Sequence, residues 1–80
     1  MDSAQQLDLH SVNLGDGLWA LSAMVRQSAL VMVVVKNRKG EQFNARLDVG
    51  KMAFIDPLPA VPSDDGIRAV ADAISDLRAR

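Results

Sequence analysis

The sequence predicts a two-layer α+β domain, a small antiparallel sheet of three or more strands with helices on one face. Three observations carry that expectation. Leu30-Val31-Met32-Val33-Val34-Val35 is an unbroken apolar run, and an extended run of that kind asks for cover on both sides of a sheet. Asn37-Arg38-Lys39-Gly40-Glu41 follows it with the chemistry of a tight turn. Residues 64–78 repeat apolar side chains at three- and four-residue spacing, the mark of a helix lying on a sheet.

In chain order, the first element is the least regular. Residues 1–6 read as a flexible end, and Gln5–Leu14 alternates only in part, through Leu7, Leu9, Val12 and Leu14, as an edge strand or an arm would. Asp16 then offers a cap for a helix over 17–28. Leu18, Leu21, Val25 and Ala29 share a stripe there, and most of the residues are good helix formers. The same stretch read as a strand alternates weakly and has one β-branched residue, Val25. That alternative gives a sheet of four or five strands with a single C-terminal helix.

The hairpin 29–48 follows. Asn37 suits the first position of a type I turn, and Gly40 suits the left-handed position of the bulge that closes it. The turn fixes the register. Val35 faces Phe43, Val33 faces Ala45 and Val31 faces Leu47, all apolar, while Val34, Met32 and Leu30 face Asn44, Arg46 and Asp48. A slip of one residue would mix the two sets. A third strand over 51–56 returns through Val49-Gly50, pairing Leu47 with Met52 and Ala45 with Phe54. Pro57, Pro59 and Pro62 end it, and residues 56–63 form the linker.

The last element is a helix over 64–78. Ser63 is its N-cap, Asp64 and Asp65 sit in the first turn where the helix dipole favours acids, and Ile67, Val70, Ala71, Ile74 and Leu77 form its apolar stripe. Asp64–Arg68 and Asp76–Arg80 are i,i+4 pairs in the favourable order.

Composition narrows the function classes. The 80 residues are 49 % apolar and 24 % charged, as in a globular chain rather than a disordered one, and they read as one domain over 1–80. With no cysteine, disulfides and thiolate metal sites are excluded, and a reducing compartment, the cytoplasm, is the expected location. Met1-Asp2-Ser3 lacks the start of a signal peptide. Leu18 to Val35 nears the length of a membrane span, but Arg26-Gln27-Ser28 lies at its centre, and a central arginine costs about 2.5–3.5 kcal/mol on insertion scales. No membrane partner is expected. The acids are nine aspartates and one glutamate, and Ala and Val supply 20 residues, a bias common in GC-rich bacterial genomes.

No reaction is written in the chain. His10 is the one histidine, and aspartates alone would have to complete any metal site. Asp64, Asp65, Asp72 and Asp76 are accounted for by capping and a solvated helix face. Gly15-Asp16-Gly17 and Val49-Gly50-Lys51 lack the remaining residues of a phosphate loop. Turn chemistry explains both. No catalytic residue, metal ligand or cofactor is expected.

Two surfaces remain. If helices cover the face of Val31, Val33 and Val35, the reverse face presents Leu30, Met32, Val34 and Ile55, rimmed by Arg46; Trp19 is an exposed aromatic candidate off the stripe of helix 17–28, or a core residue if that helix is rotated or is a strand. An apolar patch with a charged rim is an interface signature, and the commonest occupant is a second copy in a two-fold homodimer. Residues 36–51 carry a local charge of +3, and Lys36, Arg38, Lys39 and Arg46 are candidate phosphate contacts, with Phe43 nearby for stacking. A non-catalytic protein acting through protein–protein association is therefore the first expectation. Nucleic-acid binding through hairpin 36–46 is the alternative, and a small-ligand binder or enzyme with an unmarked site is the second. Helix, three strands, helix is also the element order of double-stranded-RNA-binding domains. That family carries a lysine-rich phosphate contact where Ser63-Asp64-Asp65-Gly66 is acidic, so no family is claimed.

Overall fold

The computed structural model describes residues 5–26 and 29–79. Five strands run in sequence order, β1 (Gln5–Gly15), β2 (Leu18–Val25), β3 (Leu30–Lys36), β4 (Gln42–Asp48) and β5 (Ala53–Phe54), followed by one helix, α1 (Asp64–Arg78). Each strand pairs antiparallel with the next, so the sheet is an open meander in the order β1-β2-β3-β4-β5. The α+β class holds. Gln5 and Gln6 belong to β1 rather than to a loose end, while residues 1–4, Gln27, Ser28 and the Asp76–Arg80 pair lie outside the described residues.

The helix expected over 17–28 is absent from the described residues of that stretch; Leu18–Val25 is a strand. Gly15 pairs with Leu18 across Asp16 and Gly17, whose φ angles are 52° and 75°. Two left-handed central residues make the type I′ turn that Asp-Gly favours between strands, so Asp16 opens a hairpin and caps no helix. The helical stripe has a physical origin as well. Leu21 and Ser22 together oppose Val34, a β-bulge between the pairs Ala20–Val35 and Ser22–Val34. The extra residue breaks the two-residue alternation of Leu18, Ala20, Ala23 and Val25, all buried, and leaves an apparent 18–21–25 spacing. Tertiary pairing overrides the helix propensity of Ala, Leu and Met. The element order shared with double-stranded-RNA-binding domains disappears with that helix.

β3 and β4 pair as the turn dictates, from Lys36–Gln42 to Leu30–Asp48. Gly40 is left-handed at φ 84°, its N–H donates to the Asn37 carbonyl at 3.1 Å, and Asn37 N–H donates to the Glu41 carbonyl at 3.0 Å. The Asn37 side chain adds to the turn by accepting from the N–H groups of Lys39 and Glu41, both at 3.0 Å.

The fifth strand is shorter than expected and its register differs. Leu47 pairs with Phe54 and Asp48 with Ala53. β-branched Val49 does not make a two-residue turn. The chain takes four residues, with Met52 left-handed at φ 55° and the Asp48 carboxylate accepting Lys51 N–H at 3.1 Å. A shift of two residues preserves the faces, so Phe54 stays on the core side, but Met52 leaves the core and is exposed.

One sheet face is covered. Its buried side chains, Leu7, Leu9, Leu14, Ala20, Val31, Val33, Val35 and Leu47 among them, meet Ile67, Val70 and Ile74 of α1; full burial of each such aliphatic residue contributes roughly 1.5–3 kcal/mol. Ser63 caps α1, its Oγ accepting from Gly66 N–H at 2.9 Å. The Ser63 N–H donates to the Leu14 carbonyl at 2.8 Å, pinning the start of the helix to β1. Gly66 lies so close to Leu14 that a Cβ there would stand 2.6 Å from the Leu14 carbonyl oxygen. Since β5 and β1 are opposite edges, residues 55–62 cross the covered face between them, and Leu58 and Ala60 pack on the core. One helix and this crossing segment do the work expected of two helices.

Candidate interaction surface

The uncovered face is built row by row from the register. Reading across β1 to β4, Asn13, Trp19, Lys36 and Gln42 form the row at the β3–β4 turn. Asp8, Ser22, Val34 and Asn44 follow, then Gln6, Met24, Met32 and Arg46. The β2 bulge adds Leu21 beside Ser22, because two residues at a bulge share one side. Leu30 and Asp48 end the face. Its centre is thus Leu21, Met24, Leu30, Met32 and Val34, flanked on the β1 side by Gln6, Asp8 and Asn13 and on the β4 side by Asn44, Arg46 and Asp48. Met24, Leu30 and Met32 are each 38 % exposed.

The sequence-predicted surface residues Trp19, Leu30, Met32, Val34 and Arg46 therefore share one face, with Ile55 at its edge, where its N–H donates to the Arg46 carbonyl at 2.8 Å. Trp19 is half-buried in a strand rather than displayed on a helix. Sequence reasoning missed Leu21 and Met24, because the helical reading placed Leu21 in the core. The Asp16-Gly17 pair was the signal that could have found them.

Arg46 is held in place. Its Nε and Nη2 donate to the Asp56 carboxylate at 3.0 and 2.8 Å, and its backbone N–H donates to the same group at 2.9 Å. These bonds, the side-chain ones first, pull the Asp56 carboxyl down from 3.8 to about 2. The Asp56 hydrogen bond, then its charge, raises Arg46 in turn. A guanidinium whose Nε–Nη2 edge is already held in a bidentate pair with a carboxylate is a poor phosphate contact.

The four candidate phosphate contacts do not converge. Lys36 and Arg38 line a hollow of about 310 Å³ with Trp19 and Ser11. Lys39 lines the adjoining one with Arg38, Asp16 and Pro59, and Arg46 belongs to Asp56. Phe43, half-buried, pairs with Val35 and so lies on the face opposite Lys36 and Arg46. A further hollow of about 430 Å³ lies between β5, the crossing segment and α1, walled by Met52, Phe54, Leu58, Val61 and Ile67. Its walls are mainly apolar, with Asp56 and Asp64 also lining it; Asp56 is engaged by Arg46 and Asp64 lies in the first turn of α1.

His10 is exposed, its Nδ1 3.7 Å from the Asp8 carboxylate. Among the described residues no three of His, Cys, Asp and Glu gather in a way that could hold a metal ion. No helix among them is long and apolar enough to cross a membrane.

Comparison with protein-family models, with curated proteins and with solved structures returns no match. The surface itself carries the functional reading.

Proposed function

We propose that this chain is a non-catalytic cytoplasmic protein that acts by self-association, a second copy covering the open sheet face. The observation that carries this is the apolar strip Leu21, Met24, Leu30, Met32, Val34 between two polar flanks, an interface core with its rim. The extents of the molecule, 37 × 22 × 22 Å, allow a face of at most about 800 Å² per partner, the standard size for a stable pair. The face is also complementary to itself. A two-fold axis crossing the strands between Val34 and Met32 stacks each of those residues on the other in the second copy. The same axis sets Lys36 against the Asp48 end and Trp19 against the Arg26 end, opposite charge and cation–π partners respectively. Two sheets packed this way sit about 10 Å apart with strands within about 30° of alignment.

Sedimentation equilibrium at micromolar concentration tests the proposal. A concentration-dependent dimer is expected, converted to monomer by Met32→Asp and independently by Met24→Lys. Both positions are exposed, so the variants keep the β-rich circular dichroism of the parent. A parent chain that stays monomeric throughout the micromolar range overturns self-association, and a dimer that survives both substitutions overturns this face as its site.

A further inference from the structure

We infer a second site at the β3–β4 turn end of the sheet, a hollow that takes an aromatic ring bearing a phosphate, the ring stacked on Trp19 and the phosphate held between Lys36 and Arg38. The hollow is about 310 Å³ and is lined by Ser11, Trp19, Lys36, Asn37, Arg38 and Gly40, at the low end of the ~300–1,000 Å³ typical of small-molecule sites. Two cations and one aromatic side chain share it, and no carboxylate lines it. Among the described residues neither Lys36 nor Arg38 forms an ion pair. Asn37 is spent on the turn, its Nδ2 donating to the Glu41 carboxylate at 3.0 Å while its Oδ1 accepts two backbone N–H groups. Glu41 is thereby drawn into the turn, and Asp16 lies in the neighbouring hollow, which Arg38 also lines.

Two local features set the lining in place. Arg38 lies across Gly17, where a Cβ would stand 2.6 Å from its Nε, so the glycine of the β1–β2 turn gives the arginine stem its bed. On the other side β1 carries a bulge between Asp8 and Val12, with His10 and Ser11 both left-handed at φ 56° and 60°. Adjacent non-glycine residues in that region are uncommon and costly, and bulges often re-aim a side chain beside a site. Here the bulge brings Ser11 to the hollow, where its hydroxyl adds a donor to the two cations. Bases of any sequence stack on an aromatic face, and charge-assisted hydrogen bonds to phosphate are the strong class.

A free nucleotide and a single-stranded nucleic acid offer the same chemistry, and the test separates them. Trp19 is the one tryptophan of the chain, so its fluorescence reports the site directly. AMP, inorganic phosphate and a short single-stranded oligodeoxynucleotide are titrated against the full chain and against Met32→Asp, in which the proposed dimer face is disabled. Lys36 also borders that face, so the second copy competes with the ligand, and binding to Met32→Asp is at least as tight as to the parent. Saturable quenching by AMP, weakened about ten-fold by Lys36→Ala and by Arg38→Ala, supports a free nucleotide. Quenching by the oligonucleotide alone, steeply salt-dependent and lost in the same variants, supports a single strand. No saturable quenching of either protein by AMP or oligonucleotide, or quenching unchanged in both variants, overturns the site without bearing on self-association.

Discussion

The two hairpins of this sheet are built on opposite plans. β3–β4 is a regular ladder of seven pairs closed by one glycine turn. β1–β2 has irregularities at Asp8/Val12 and Asn13/Gly15, and β2 is bulged again where it meets β3. The regular hairpin is fixed by its own turn and pattern, and it gives the core Val31, Val33, Val35, Ala45 and Leu47. The irregular one is held from outside, through the hydrogen bonds of Ser63 to Leu14 and the close approach of Gly66. It too reaches the core, through Leu7, Leu9, Leu14, Leu18 and Val25 among others, but its bulges also turn Ser11 toward the hollow and Leu21 toward the open face. Irregular pairing costs stability at the place where unusual side-chain placement is needed.

A pair of glycine substitutions breaks that comparison most sharply. Gly66→Ala would favour an isolated helix by about 1 kcal/mol, yet here its Cβ meets the Leu14 backbone at 2.6 Å. Neither backbone can give way without lifting α1 off β1, so a net loss of about 3 kcal/mol is expected, in line with overpacked cores. Gly40→Ala meets nothing within 4 Å and pays only for its left-handed φ, about 1–2 kcal/mol. Urea denaturation of both variants checks the order. Equal losses would mean that the helix does not clamp the irregular hairpin.

The same contrast explains what could be read from the chain. In β3–β4 the turn residues Asn37 and Gly40 and the apolar pairs Val35–Phe43, Val33–Ala45 and Val31–Leu47 say the same thing, so register, faces and open surface follow. In α1, Ser63 and the stripe from Ile67 to Leu77 agree likewise. β2 is where the signals conflict. Its bulge hides the two-residue period, its residues are helix formers, and Asp16 suits a helix cap as well as an I′ turn. The hollow was not legible for a related reason. Trp19 and Lys36 are neighbours only because β2 is a strand, and Ser11 joins them only through a bulge that nothing in His10-Ser11 announces. The Arg46–Asp56 pair spans ten residues and needs the return of the chain past β5, which the two-residue error in register obscured.

A smaller effect, of opposite sign in the two hairpins, comes from placing glycine in each. At Ser11, φ is 60°, and glycine adopts that angle freely, so Ser11→Gly is expected to be neutral or stabilising by up to about 1 kcal/mol. At Gln42, an exposed position in the regular ladder, glycine only adds chain entropy to the unfolded state, and Gln42→Gly should cost about 0.5–1 kcal/mol. Thermal melts read both. Destabilisation by Ser11→Gly as large as that by Gln42→Gly would show that the β1 bulge carries no strain.

The smallest effect concerns the link between the regular hairpin and the segment leaving β5, the exposed pair Arg46–Asp56. Asp56 titrates at about 2 in the folded chain against an ordinary 3.8. A depressed carboxyl stabilises the fold above the unfolded value, and that contribution fades as pH falls from about 4 through about 2. Asp56→Asn removes the titration and weakens the bonds to Arg46. Parent and variant should therefore differ most at neutral pH, and their stability curves should converge across that acid window. Both groups are open to water, so salt should narrow the gap as well. A gap that persists unchanged below pH 2 would assign the cost of the substitution to lost packing at residues 55–57 rather than to the ion pair. The anchor of β4 to the crossing segment would then be apolar, like the rest of the covered face.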